Sequence, residues 1–190
     1  MLAFFGIIAG ILSGIAVIPY VRDILLHKTK PERASWLIWS VLGSIAFFSQ
    51  LAEGATWSLW LTGINTIGVL IIFILAIKYG MGGLARRDTY ALIAAGFGLI
   101  LWYLTRHAFI ALFVTIGIDL IGQTLTVIKT YAVPESETLS TWVLVSTAGI
   151  FSMLSVGAWD WILLLYPFYI FLANFSVVVA IYAGRNKKRH

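Results

Sequence analysis

The chain contains no cysteine, which excludes disulfides, thiolate metal sites and cysteine nucleophiles and leaves the redox compartment open. Charge is scarce too. Only 11% of the 190 residues are charged and 61% are hydrophobic, whereas a soluble domain carries about 25% charged residues. That is too little polar surface to cover a water-soluble globule, but in a bilayer the excess apolar side chains face lipid. Histidine is sparse as well. His27, His107 and His190 fall at the edges of apolar runs, none with a second ligand at metal spacing. No glycine-rich loop leads into a phosphate-binding residue, and Gly80-Met81-Gly82-Gly83 reads as a helix-ending turn. No serine or lysine nucleophile has a recognisable base. Neither an enzyme nor a metal- or cofactor-dependent protein is expected.

What is present is a series of long apolar runs. A spanning helix needs about 20 mostly apolar residues. Runs of that kind cover Leu2 to Tyr20, Ser35 to Leu51, Trp57 to Ile77, Tyr90 to Thr105, Phe109 to Ile128, Thr141 to Val156 and Trp161 to Ala183. The breaks between them are short and carry charges, glycine or proline, and none is long enough for a second domain to be expected outside the membrane. The fold expected is an all-α integral membrane protein of seven transmembrane helices. The first run lacks a preceding positive segment and reads as a retained helix rather than a signal peptide.

Basic residues set the expected orientation. With the N-terminus outside, twelve of the thirteen lysines and arginines fall in inner loops or the tail, leaving only Arg106 outside. The net charge of +5 therefore reads as a topology signal at the headgroups, not as a nucleic-acid surface, and no nucleic-acid partner is expected. The expected location is the plasma (cell inner) membrane, with a cytoplasmic C-terminus and the bilayer as partner. Trp36, Trp57, Trp159 and Trp161 fall near the expected interfaces, where indole is favoured.

The chain also looks duplicated. Trp36-Leu37-Ile38-Trp39-Ser40-Val41-Leu42-Gly43 aligns without gaps on Trp142-Val143-Leu144-Val145-Ser146-Thr147-Ala148-Gly149. Trp57 to Gly80 lies on Trp161 to Gly184, and Lys28-Thr29 matches Lys129-Thr130. Residues 1–80 and 107–190 thus read as two parallel three-helix bundles, with 81–106 as an inverting linker helix, a 3+1+3 plan.

Pro19-Tyr20, followed nine positions after the proline by Lys28-Thr29, resembles the motif of the SWEET and PQ-loop superfamily. Members of that family place Pro-Gln and then Lys-Ser at this distance in each bundle. Here Tyr20 stands for Gln and Thr29 for Ser, and Leu120 occupies the second-bundle proline position with Gly122-Gln123 close by. The resemblance implies a transporter in which Pro19 and Tyr20 belong to the inner gate. The family's sugar carriers pair a tryptophan late in the second and sixth helices with an asparagine in the third and seventh. At the tryptophan positions this chain has Phe47 or Phe48, and Met153 or Leu154, so the resemblance leaves the solute open.

Polar side chains at midplane depth are costly in hydrocarbon and usually face a bundle interior. Asp119 is the only acid deep inside a span. It lies 12 residues from His107, about 18 Å along a helix. Thr115, Asp119, Gln123 and Thr126 recur at helical spacing and share one face. Asp119 could carry a proton, pair with a cationic solute, or stay protonated as a bond between helices. Asn65, Thr66, Asn174, Ser40 and Ser44 are the other midplane groups. Of these, Asn65, Asn174 and Ser44 join Thr115, Asp119 and Gln123 as expected solute-binding residues. Gly6, Gly10, Ser13, Gly14 and Val17 form a small-residue stripe on the first span.

These features point to a carrier of a small polar solute (sugar, amino acid or amine). It would work by alternating access at a midplane site, one triplet rocking against the other, with proton coupling through Asp119 as one mode. The alternative is a non-transporting seven-helix receptor or structural protein on the same fold. A retinal protein is excluded, because the last span has no lysine before Lys187. Both bundles are in one chain, so a monomer suffices, and a homo-oligomer is equally open.

Overall fold

A computed structural model describes residues 1–52, 58–83, 85–105, 108–157, 159 and 161–187. Trp57, Arg106, His107 and the end of the basic tail lie outside the described residues. Seven α-helices account for nearly all of the described chain: α1 (Leu2–Leu25), α2 (Arg33–Ala52), α3 (Ser58–Tyr79), α4 (Arg86–Thr105), α5 (Ala108–Ala132), α6 (Leu139–Val156) and α7 (Trp161–Lys187). A single 3-10 turn, Pro134–Ser136, joins α5 to α6, and the described residues form no strand. Each helix falls on one of the seven apolar runs. Several overshoot them, α1 continuing through Arg22 and Asp23 and α7 through Arg185 and Lys187. Hydrophobicity marks where a helix crosses lipid, whereas the backbone ladder continues until a cap or turn stops it. Both α1 and α7 run on through their internal prolines, Pro19 and Pro167.

Among the described residues, four helical stretches are long and apolar enough to cross a membrane: Leu2–Leu25, Phe113–Ala132, Leu139–Val156 and Leu164–Lys187. The surface of α1 shows why a bilayer suits them. Phe4, Ile7, Ile11, Ile15 and Ile18 are all exposed at helical spacing, while Ala16, Tyr20 and Ile24 on the other side are buried. An apolar stripe of that length has no place in water.

The helices form two compact units that each draw on both sequence repeats. One contains Met1–Thr29 and Val127–His190; the other is Lys30–Thr126. In the first, α1 packs on α6 and α6 on α7. In the second, α2 packs on α3 and α4, and the Ser35 hydroxyl on α2 donates to the Gly122 carbonyl of α5 at 2.6 Å. The core of this unit joins Ile38, Ala95 and Ile118, with Trp39, Leu92 and Ile121 packed around them.

The internal geometry of the two units repeats. The Thr141 hydroxyl donates to the Ala16 carbonyl at 2.9 Å, as Ser35 does to Gly122. Ser35 and Thr141 directly precede the aligned tryptophans, and Ala16 and Gly122 are separated by the same sequence interval. Gly80 and Gly184 also match. A Cβ on Gly80 would meet the Pro31 carbonyl at 2.7 Å, and one on Gly184 the Tyr131 carbonyl at 2.6 Å. The Ser35–Gly122 and Thr141–Ala16 bonds pair Pro19 with Leu125 rather than Leu120, and Tyr20 with Thr126, whereas the glycine contacts follow a shorter interval from Pro31 to Tyr131. Side-chain burial agrees, since Tyr20 and Ile24 on α1 and Thr126 and Thr130 on α5 are all fully buried.

Trp36 departs from its sequence reading. Instead of standing at a lipid interface it is buried in the second unit, edge-on to Trp39 with ring centroids 5.0 Å apart. Trp159 and Trp161 are widely exposed, as interfacial indoles would be. The Gly80–Gly83 segment ends α3. Met81 bridges Glu32, and Gly82 and Gly83 adopt positive φ values of 68° and 88°, where side chains other than glycine are strained. In unit one, Gly149 allows a close approach of α6 to α7, a Cβ there lying 2.8 Å from the Phe171 amide nitrogen and 2.9 Å from its Cα. On the small-residue stripe, by contrast, a Cβ on Gly14 would meet nothing within 4 Å among the described residues.

These two glycines predict opposite outcomes. Gly149→Ala forces α6 from α7 and should cost about 1–3 kcal/mol. Gly14→Ala should instead stabilise the helix by about 0.5–1 kcal/mol. Unfolding in detergent followed by circular dichroism measures both; a larger loss at Gly14 than at Gly149 would contradict the α6–α7 packing.

Candidate functional site

Among the described residues, each unit holds a polar constellation in its apolar interior. The first is the row on α5 in unit two. Gln123 and Thr126 are buried and Thr115 and Asp119 half-buried, while Phe113, Leu120 and Thr124 on the far side of the helix are exposed. The row is therefore turned away from the apolar exterior, beside the face that carries Val114, Ile118 and Ile121 into the core. At its inner end the Thr126 hydroxyl donates to the Ser35 hydroxyl at 2.9 Å, and Ser35 passes the bond on to the Gly122 carbonyl. A relay of this kind satisfies two hydroxyls in a dry interior without a charge.

The other expected solute-binding residues are dispersed. Ser44 donates to the Ser40 carbonyl of its own helix at 2.8 Å, and the Asn174 amide to the Ile170 carbonyl at 2.8 Å, also within its helix. Each donor is thereby satisfied locally. Asn65 is exposed, whereas its neighbour Thr66 is buried and ties α3 to α2 through the Gly43 carbonyl at 3.1 Å. Thr115, Asp119, Gln123, Ser44 and Asn65 belong to unit two, and Asn174 to unit one.

The second constellation was not visible as a site in the sequence. It surrounds Glu137, at the start of α6 in unit one. Its carboxylate accepts from the Tyr20 hydroxyl at 2.9 Å and the Trp142 indole N–H at 2.7 Å on one oxygen, and from the Lys129 ammonium on the other. The side chains of Lys129 and Glu137 are 4% and 0% exposed, so the pair is shielded from water. Next to it the Thr138 hydroxyl donates to Asp23 at 3.0 Å and shares a 2.6 Å bond with Thr29. The Tyr20 ring stands edge-on to Trp142 at 6.2 Å. One carboxylate thus gathers α1, the end of α5 and the start of α6. Among the described residues, no three histidine, aspartate or glutamate side chains come together in a way that could hold a metal.

In the sequence Lys129 counts as an inside-facing charge and Glu137 as part of a loop. The signal that could have joined them is distance along the chain. Val133 to Thr138 is too short to carry Glu137 away from the helix end that bears Lys129, and two unlike charges at that depth favour pairing over solvation. Tyr20 carried a second hint, a hydroxyl on an otherwise apolar helix face.

No protein-family model matches the chain, and comparisons with curated proteins and with solved structures give no match either.

Removing one partner of a shielded ion pair costs about 3–5 kcal/mol, because the other charge is left unpaired. Glu137→Gln and Lys129→Met should each lose stability on that scale, and the double variant clearly less than the sum of the two. A double-mutant cycle of unfolding free energies in detergent measures the coupling. Additive losses would show that the pair is solvated.

Proposed function

We propose that this chain is a membrane carrier for a small polar solute, working by alternating access at a midplane site. The observation that carries the proposal is the duplicated geometry: Ser35 on Gly122 in one unit and Thr141 on Ala16 in the other, at equal sequence intervals. Carriers are commonly built from such internal repeats, which give a fixed site two related flanks to open in turn. The 3+1+3 order of the repeats along the chain and the SWEET and PQ-loop resemblance of Pro19-Tyr20 and Lys28-Thr29 support the same reading.

The solute site is proposed on the α5 row. Asp119 is its ionisable centre, Thr115 and Gln123 hold polar atoms of the solute, and Asn65 and Ser44 of the same unit have supporting roles. Asp119 either carries a proton or pairs with an amine. Pro19 and Tyr20 act at the inner gate. Pro19 removes a backbone hydrogen bond from α1, and Tyr20 fastens α1 to Glu137. Opening would exchange that bond for another, so Glu137 joins the gate as the group that Tyr20 releases. The charge distribution supports a plasma-membrane location with the N-terminus outside and the C-terminus cytoplasmic.

A specific observation favours the receptor or structural alternative. The Glu137 cluster is fully paired, with the density of bonds expected of a fastening rather than a moving part.

The deciding test is uptake into proteoliposomes of sugars, amino acids and small amines, with and without a pH gradient, beside Asp119→Asn. Gradient-driven uptake by the wild type and its loss in the variant are expected. Uptake indifferent to gradient and substitution would leave a facilitator without a role for Asp119. A folded protein that moves none of the three solute classes would favour the receptor or structural reading.

A further inference from the structure

Unit two has an apolar groove of about 390 Å³ where α2 begins, α3 ends and α4 begins. Its walls include Leu37, Phe73, Ile77 and Leu92, and Arg33 and Gly83 stand at its charged end. Ile74, Ile77 and Ile93 are exposed on the adjoining surfaces of α3 and α4, so the groove opens onto an apolar exterior.

Arg33 is held in an unusual way. Its Nε donates to the Ala76 carbonyl at 3.0 Å and one terminal nitrogen to the Gly82 carbonyl at 3.1 Å. These bonds fix the guanidinium plane without neutralising it. No carboxylate pairs with Arg33 among the described residues. Asp88 accepts from the amides of Gly83 and Ala85 at 2.7 and 3.1 Å, and the buried carboxylate of Glu32 lies against Gly82. Arg86, at the first turn of α4, adds an exposed cation. A guanidinium has five N–H donors in a planar fork suited to phosphate, and most of those on Arg33 remain available.

We propose that this groove binds an anionic phospholipid, one acyl chain lying along Leu37, Phe73, Ile77 and Leu92 and the phosphate resting on Arg33. Charge complementarity selects the occupant. A neutral hydrocarbon would fill the apolar walls and leave the fixed cation unmatched, and a soluble anion would meet the cation and leave the walls bare. An anionic lipid satisfies both and, unlike a zwitterionic one, brings no ammonium of its own to oppose the Arg33 charge.

The test uses the full chain, delipidated in detergent and titrated with palmitoyl-oleoyl phosphatidylglycerol or the matching phosphatidylcholine, with bound lipid counted by native mass spectrometry. The wild type should prefer the anionic lipid by roughly fivefold, the size expected of one cation near a lipid anion. Arg33→Gln should reduce the preference to parity, and Ile77→Trp, at the exposed rim, should lower occupancy by blocking the groove with Arg33 intact. Equal binding of the two lipids by the wild type would overturn the proposal, as would a preference that survives in folded Arg33→Gln. If Arg33→Gln does not fold, undiminished binding by Ile77→Trp overturns it instead. Displacement of the lipid by soluble glycerol phosphate would assign the site to a headgroup alone and also overturn it.

Discussion

Glu137 is shut off from water, and its two carboxylate oxygens take their donors from three separate helices. A carboxylate placed there without donors would cost several kcal/mol, so the unit closes only when Tyr20, Lys129 and Trp142 all arrive. The neighbouring bonds follow from that convergence. With α1 drawn to the start of α6, Thr29 and Thr138 come within 2.6 Å and Thr141 reaches the Ala16 carbonyl. Further along the same helix pair, packing takes over from polar contact, and a Cβ on Gly6 would sit 3.8 Å from Ser155.

Unit two meets the same demand with different chemistry. Its counterpart of the Tyr20 position is Thr126, whose hydroxyl bonds to Ser35, and proline (Pro31) stands where the interval would place the acid. Its charged group at the helix start, Arg33, turns to backbone carbonyls at the end of α3. Similar backbones can thus be fastened by an ion pair in one place and by a hydroxyl relay with a guanidinium clamp in another. The geometry is shared between the two units, and the side chains that maintain it have diverged.

The seven helices were legible because each carries a long apolar run, four of them, among the described residues, long enough to cross a bilayer, and the turns at Gly80–Gly83 and Pro134 carry their own local chemistry. The repeat was legible at Trp36 and Trp142 and at Gly80 and Gly184. Which helix lies beside which was not. The outer face of α1 is uniformly apolar and serves against lipid as well as against a neighbouring helix, so its pairing with α6 rests on small contacts such as Thr141 on Ala16. The register of α5 was misplaced for the same reason, since Leu120 and Leu125 are chemically alike and only contact distinguishes them. Trp36 was assigned to an interface because indole suits both an interface and a buried edge-to-face pair. On α5 the polar row was legible from spacing alone, and its turn away from the exposed side agrees with that reading. The Glu137 cluster was not, because its members are spread over Tyr20, Lys129 and Trp142 and meet only in three dimensions.

The make-up of unit one has a bearing on how the protein is made. Its pieces are Met1–Thr29 and Val127–His190, with the whole of the other unit between them in the chain. During synthesis α1 enters the bilayer long before α6 and α7 exist. Until they emerge it has no partner from its own unit, and the Tyr20 hydroxyl lacks the carboxylate it will finally meet. An exposed apolar helix can wait in hydrocarbon at little cost, which a water-soluble fold with the same order of assembly could not tolerate. The isoleucine stripe that faces outward in the finished protein is therefore also what lets its earliest helix survive until the last ones arrive.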